Sequence, residues 1–296
     1  MNSIAEAVTK LLLQKLEQGI VPWKRPWSLT GEGGRPLRHE GTPYTGINCP
    51  WLWSIADSRG YKSRYWMTKR QAEELGGRVR KGAEATISIY ASSFRKQGKS
   101  LLTGETTAQL IRFLRRYLVY NADEIDGLPA WYYPRPVAPT STLLSLRQEA
   151  IDAFFEQIPS VVRYGGSQAY FSPLSDHIQM PRLAHFASAD LFASTLAHEH
   201  VHWTGARSRL DRTFGKRFGD KAYAFEELVA CLGQSFICAE LGLPTELHDN
   251  HASYLGSWIR VLKDDKAAVF LASTKAEQAV RYLQAFASVT PVAKAA

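Results

Sequence analysis

Leu191-Phe192-Ala193-Ser194-Thr195-Leu196-Ala197-His198-Glu199-His200-Val201-His202 joins an apolar stretch of helical spacing to the pattern H-E-x-x-H. On a helix His198 and His202 stand one turn apart on one face, so both imidazoles can reach one ion. Glu199 then projects beside that ion, where it can take a proton from a bound water. Two histidines alone hold a metal poorly, so the reading needs a third ligand. Tyr223-Ala224-Phe225-Glu226-Glu227-Leu228-Val229-Ala230-Cys231-Leu232 supplies a second helical stretch with two carboxylates early in it. Phe225, Leu228, Val229, Leu232 and Phe236 form its apolar stripe, while Glu227 leaves toward Ala230, Cys231 and Gln234. Glu227 is therefore preferred as third ligand, with Glu226 as the alternate. Acids also suit an ordinary helix N-terminus, which explains either residue but not its pairing with the upstream motif. The expected ion is Zn2+, or another divalent transition metal such as Mn2+. His251, or Tyr254 one turn along the same helix, is the candidate donor to a tetrahedral intermediate.

Length and composition bound the rest. A chain of 296 residues, 45% hydrophobic and 22% charged, is that of a soluble globular protein large enough for two domains with separate cores. No apolar run approaches the roughly 20 residues of a membrane span, so no membrane partner is expected. Ile4 to Leu16 is amphipathic, with Glu6 within it and Glu17 just after it, unlike a secretion signal. Cys49, Cys231 and Cys238 show no pairing pattern, which points to the reducing cytoplasm.

The net charge of +8 is unevenly spread. Residues 1–140 carry 21 Lys+Arg against 12 Asp+Glu, whereas the remainder carries 15 against 16. A polyanionic partner for the first half follows. Basic and aromatic residues interleave there: Trp23, Lys24, Arg25, Trp27, Arg38, Tyr44, Asn48, Arg64, Trp66, Lys69, Arg78, Arg80 and Lys81. Cations that follow phosphates, with aromatic faces that stack bases, suit single-stranded nucleic acid. Trp and Tyr are also good core residues, so part of this set is expected to be buried.

The periodicity predicts an α+β chain. Helices are expected at Ile4–Gln18, Pro50–Arg59, Thr68–Leu75, Leu143–Gln157, Ala189–Trp203, Ala222–Leu241, His248–Lys263 and Ala267–Phe286. Strands are expected at Thr86–Tyr90, Phe113–Val119, Val161–Tyr164, Ala169–Phe171 and His177–Met180. Pro129, Pro134, Pro136 and Pro139 place a proline-rich linker at 126–142, between a small α+β nucleic-acid-binding domain (1–125) and a zincin-like domain of helices beside a small sheet (143–296). His177–Met180, the last strand before the motif helix, is expected to pair an extended peptide.

The chain resembles the ArdC-type antirestriction proteins of conjugative plasmids over nearly its full length. Gly19 to Trp27, Tyr44-Thr45-Gly46-Ile47-Asn48, Trp66 to Ala72, Leu75-Gly76-Gly77 through Lys81-Gly82, Val119-Tyr120-Asn121 and Asp126-Gly127-Leu128 resemble their single-stranded-DNA-binding domain, which also occurs on TraC-type plasmid primases. His198 to Gly205, Arg209-Leu210, Glu226 to Ala230, His251 to Tyr254 and Trp258 resemble their zincin-like metallopeptidase domain. The resemblance implies protection of incoming plasmid DNA from restriction, and a protein substrate or restriction component as partner. One departure is Cys231, where the family tends to have Glu: a carboxylate there would orient a ligating histidine, and Cys231 could instead be a fourth ligand that closes the site. A DNA-tethered peptidase and a strand-coating protein whose metal site is structural, or serves docking, both fit these features.

Overall fold

Polar caps set the main helices. Ser188 accepts from the Leu191 N–H to start α5 (Ala189–Thr204), and Asp220 accepts from the Ala222 N–H to start α6 (Lys221–Leu241). Thr68 and Gln71 form a capping box on α3 (Lys69–Glu74). The computed structural model describes residues 2–23, 34–99, 106–133, 140–215, 220–243 and 251–287. In these the order is α1 (Asn2–Glu17), β1 (Leu37–Arg38), α2 (Asn48–Arg59), β2 (Tyr65–Met67), α3, β3 (Arg78–Val79), β4 (Thr86–Lys99), β5 (Thr106–Asn121) and β6 (Ile125–Asp126). Then follow α4 (Ser141–Glu156), β7 (Val161–Tyr164), β8 (Tyr170–Ser172), β9 (His177–Met180), α5, α6, α7 (His251–Asp264) and α8 (Ala268–Gln284). The class is α+β, as the periodicity predicts.

Three small sheets organise the strands. The first has order β1-β2-β5-β4, the second pairs β3 with β6, and the third has order β7-β9-β8. β4 and β5 are far longer than their sequence suggests, because each supplies the other's hydrogen-bond ladder from Thr86↔Val119 out to Lys99↔Thr106. The third sheet corrects the peptide-pairing expectation. β9 lies between β7 and β8, so both its edges are occupied and it cannot take a further strand. The strand with an outer edge beside the motif helix is β8.

Separate cores are also corrected. One apolar cluster contains Leu12, Trp23 and Trp53 from the first half with Phe236, Trp258 and Val280 from the second. Trp23 meets Trp258 edge to face at 5.4 Å, and buried Arg35 bonds Glu277 at 2.7 Å and Glu240 at 2.8 Å across the same seam. The expected linker is partly folded as well. Asp126 pairs with Arg78, and Leu128 and Tyr132 fill a second small core with Met67 and Ile125. Pro134, Pro136 and Pro139 lie outside the described residues. Among the described residues no helix is long and apolar enough to cross a membrane.

Candidate metal centre

α5 carries His198 and His202 one turn apart, and α6 packs across it with Glu227. The two helices approach closely because position 233 is glycine: a Cβ there would lie 2.7 Å from Val201 Cγ2, well inside carbon–carbon contact. The His198 and His202 Nε2 atoms are 3.1 Å apart, and Glu227 sets Oε2 3.5 Å from the first and Oε1 3.4 Å from the second. Donors held about 2.05 Å from one ion at tetrahedral angles are about 3.3 Å from each other. The triangle therefore fits a divalent ion. Among the described residues this is the one cluster of His, Cys, Asp or Glu whose donor atoms converge.

Contacts on the far side of each ring aim those nitrogens. His202 Nδ1 lies 3.2 Å from Glu226 Oε1, and His198 Nδ1 lies 3.3 Å from Gln234 Oε1, so each Nδ1–H donates outward. Gln234 is held by donating to the Ser194 hydroxyl at 2.8 Å. Glu226 is gripped by Arg212, whose Nε lies 2.9 Å from Oε2 and whose Nη2 lies 2.8 Å from Oε1. Arg212 also donates to the Thr204 hydroxyl and the Val201 carbonyl at the end of α5. It passes over Gly205, where a Cβ would sit 2.8 Å from Nη2. With both Nδ1–H groups turned outward, two Nε2 atoms and a carboxylate converge, an arrangement that needs positive charge among them, a proton on His202 or a metal ion. That donor set suits a divalent transition-metal ion.

The electrostatics agree. Burial would raise the Glu227 carboxyl, but His202 and His198 hold it well below the usual carboxylate range. Burial would lower His202, yet Glu227 and Glu226 push it up to about 10. Glu199 is buried, which raises its carboxyl against the pull of His198 and His202, and it accepts a hydrogen bond from the Phe171 backbone N–H. It shares a cavity of about 820 Å3 with the three ligand candidates, with Tyr170 and Phe171 on one wall and Tyr223 and Tyr254 on another. The two tyrosine hydroxyls are 3.1 Å apart. Burial and then Glu227 raise both phenols, so both keep their protons.

Two expectations at the centre are corrected. Glu226 does not join the triangle; it holds His202 from behind. Cys231 Sγ lies 4.0 Å from His198 Nδ1, on the side away from the converging donors, so it does not close the site. Burial, then Glu227 and Glu199, keep its thiol protonated. The amide of Gln234 faces the His198 nitrogen that a carboxylate at 231 would have faced. The helix of His251 is present, but its side chain lies outside the described residues. His200 is a structural residue: it contacts the Ser160 hydroxyl and the Leu196 carbonyl, and burial pulls it down to about 4.

The nucleic-acid candidates divide. Trp23 and Trp66 are fully buried and Tyr44 is buried with them, so none offers a ring face to a base. Asn48 is spent on the free edge of β4, donating to the Ile89 carbonyl at 2.7 Å and accepting from its N–H at 2.8 Å. Arg64 rests against Gly34. Lys69 pairs with Glu73 at 3.8 Å and Arg80 with Asp126 at 2.7 Å. Arg38, Arg78 and Lys81 are exposed, with Arg38 over the Tyr44 ring at 5.3 Å. Lys24, Arg25 and Trp27 lie outside the described residues. Arg212, Gln234 and Tyr223 were missed in the sequence. Arg212 had a usable signal, since two adjacent carboxylates buried on one helix demand a cationic partner.

Residues 2–120 match the N-terminal domain of anti-restriction factor ArdC, and residues 149–275 match a zincin-like metallopeptidase family. The uncharacterized protein y4eC of Sinorhizobium fredii is 34% identical, over 96% of this chain and 92% of its own. A DNA primase TraC of Escherichia coli is 32% identical over 95% of this chain, which spans only 20% of that protein. The metal-free crystal structure of the antirestriction ArdC protein from plasmid R388 superposes with a TM-score of 0.79 at 41% identity, covering 97% of this chain and 98% of that one. Its Mn(II)-bound structure superposes at 0.78 with 39% identity, over 97% and 99%. Sharing 41% of its residues with the R388 protein over nearly the full length of both, and matching the ArdC N-terminal domain, this chain belongs to the ArdC family of antirestriction proteins.

Proposed function

We propose that the chain binds single-stranded DNA through its first half and carries a zinc-dependent peptidase site in its second, protecting incoming DNA from restriction during conjugation in the cytoplasm. The first unit runs through Tyr132, where the expected linker folds onto it, and the second is 143–296. The observation that carries the reading is the triangle of His198, His202 and Glu227 opening into a cavity that also holds Glu199 and two protonated tyrosines. When bound, the metal supplies Lewis acidity to a water and to a peptide carbonyl. With the ion in place, Glu199 would take the proton of that water and hand it on to the leaving amine. Tyr223 or Tyr254 donates to the carbonyl oxygen as charge gathers there. An extended substrate lies along the outer edge of β8, where Tyr170 and Phe171 face the cavity.

Glu199→Ala tests the peptidase reading. It leaves metal content and strand binding intact, and under this reading it abolishes protection of transferred DNA. Protection that survives Glu199→Ala would leave only a strand-coating protein with a structural metal. Transfer assays into a restricting recipient decide between the two.

A further inference from the structure

The tryptophans and tyrosine that a strand would stack on are mostly buried, so the contact surface has to be sought elsewhere in the first half. The β4–β5 ribbon answers. β5 pairs with β2 only at Tyr120 and Asn121, and from Val119 outward its one ladder partner is β4. At about 3.3 Å per residue a two-stranded arm roughly 40 Å long leaves the sheet.

Residues 86–121 contain six Lys or Arg (Arg95, Lys96, Lys99, Arg112, Arg115, Arg116) and one acid, Glu105, an excess of five in a chain of net charge +8. Near the base of the arm the register sets Tyr90 opposite Arg115 and Ser88 opposite Tyr117. Tyr90, Arg115 and Tyr117 therefore share one face, with Arg116 and Leu118 on the other. Both tyrosines are 44% exposed, and their rings meet edge to face at 6.4 Å. Arg115 and Arg116 are exposed too.

We propose that the base of this arm is the single-strand contact surface, with Arg115 and Arg116 following the phosphates and Tyr90 and Tyr117 receiving bases. A plainer purpose for charge on a bare ribbon is to stop edge-to-edge association. That purpose needs no excess of one sign of charge and argues against exposed aromatic rings, and the segment has both. The inference rests on the nucleic-acid reading above and locates it.

The test uses the full chain, a labelled oligothymidylate of about 30 nucleotides, and anisotropy titrations between about 50 and 200 mM salt. Arg115→Ala/Arg116→Ala lowers affinity about tenfold or more and makes the log–log salt slope shallower by about 1.4, the share of two phosphate contacts on a single strand. Tyr90→Ala/Tyr117→Ala weakens binding by a similar factor and leaves the slope unchanged. Unchanged metal content in each variant shows that the fold is intact. Wild-type affinity and slope in both variants, with wild type itself binding, overturns the arm assignment alone. A duplex of equal length bound as tightly as the single strand overturns the single-strand assignment. No binding by wild type sinks the nucleic-acid reading, and the arm with it.

Discussion

The metal centre and the β4–β5 arm treat charge in opposite ways. Around His202, every charged group is buried and answered: Glu227 by the histidines, Glu226 by Arg212, Arg212 by four acceptor atoms on α5 and α6. On the arm, Arg115 and Arg116 are exposed, in a segment with six Lys or Arg and one acid. A buried charge must be paired or it costs several kcal/mol, so the centre is rigid and can hold a small ion at set distances. A solvated row of like charges costs little by itself and adapts to a flexible polyanion. One chain thus pairs a preorganised candidate metal centre with the adaptable contact surface proposed for the arm.

The contrast can be tested by substitution, and the largest effect belongs to the triangle. His198→Ala or Glu227→Ala should lose stoichiometric metal, a fall in affinity of about a thousandfold if each ligand carries its share of a site worth about 10–16 kcal/mol. Metal analysis with chelator competition reads it, and full metal retention in either variant would remove that residue from the ligand set. Next comes Trp23→Ala, which should cost about 3–5 kcal/mol of stability as a core truncation while the protein that remains folded binds strands as before. Weakened strand binding at an unchanged melting temperature would return Trp23 to the interface.

Glu226→Gln should leave the triangle in place and cost about 10–100-fold in metal affinity, because His202 loses its carboxylate acceptor. An affinity equal to wild type would make the Arg212–Glu226 pair a scaffold with no influence on the ligand. Lys69→Ala should do least. Its charge is already met by Glu73 in solvent, so stability should move by no more than about 0.5 kcal/mol and strand affinity by less than twofold, against the tenfold expected on the arm.

Much of this was legible in the chain. H-E-x-x-H on an apolar helical stretch specifies which atoms face which way, because 3.6 residues per turn is a local property. The preference for Glu227 over Glu226 came from the same periodicity, and both were legible as ligand candidates before any contact was known. The strand ends of β7 and β9 were visible for a similar reason: prolines and polar turns punctuate locally.

Burial was not legible in the first half. A tryptophan beside a lysine reads identically whether its ring stacks on a base or, like Trp23, on Trp258 from the far end of the chain. The strand order was equally hidden, so β9 read as an edge although β7 and β8 flank it. Residue chemistry and helical repeat, both local, were enough to mark the residues of the His-His-Glu triangle, the basic character of the first half and the α+β class. Which aromatics are covered, which cations are already matched, how far β4 and β5 extend and what stands behind each histidine depended on contacts between distant segments. Those contacts are decided by how surfaces fit once the chain has closed, and no stretch of it carries that information alone.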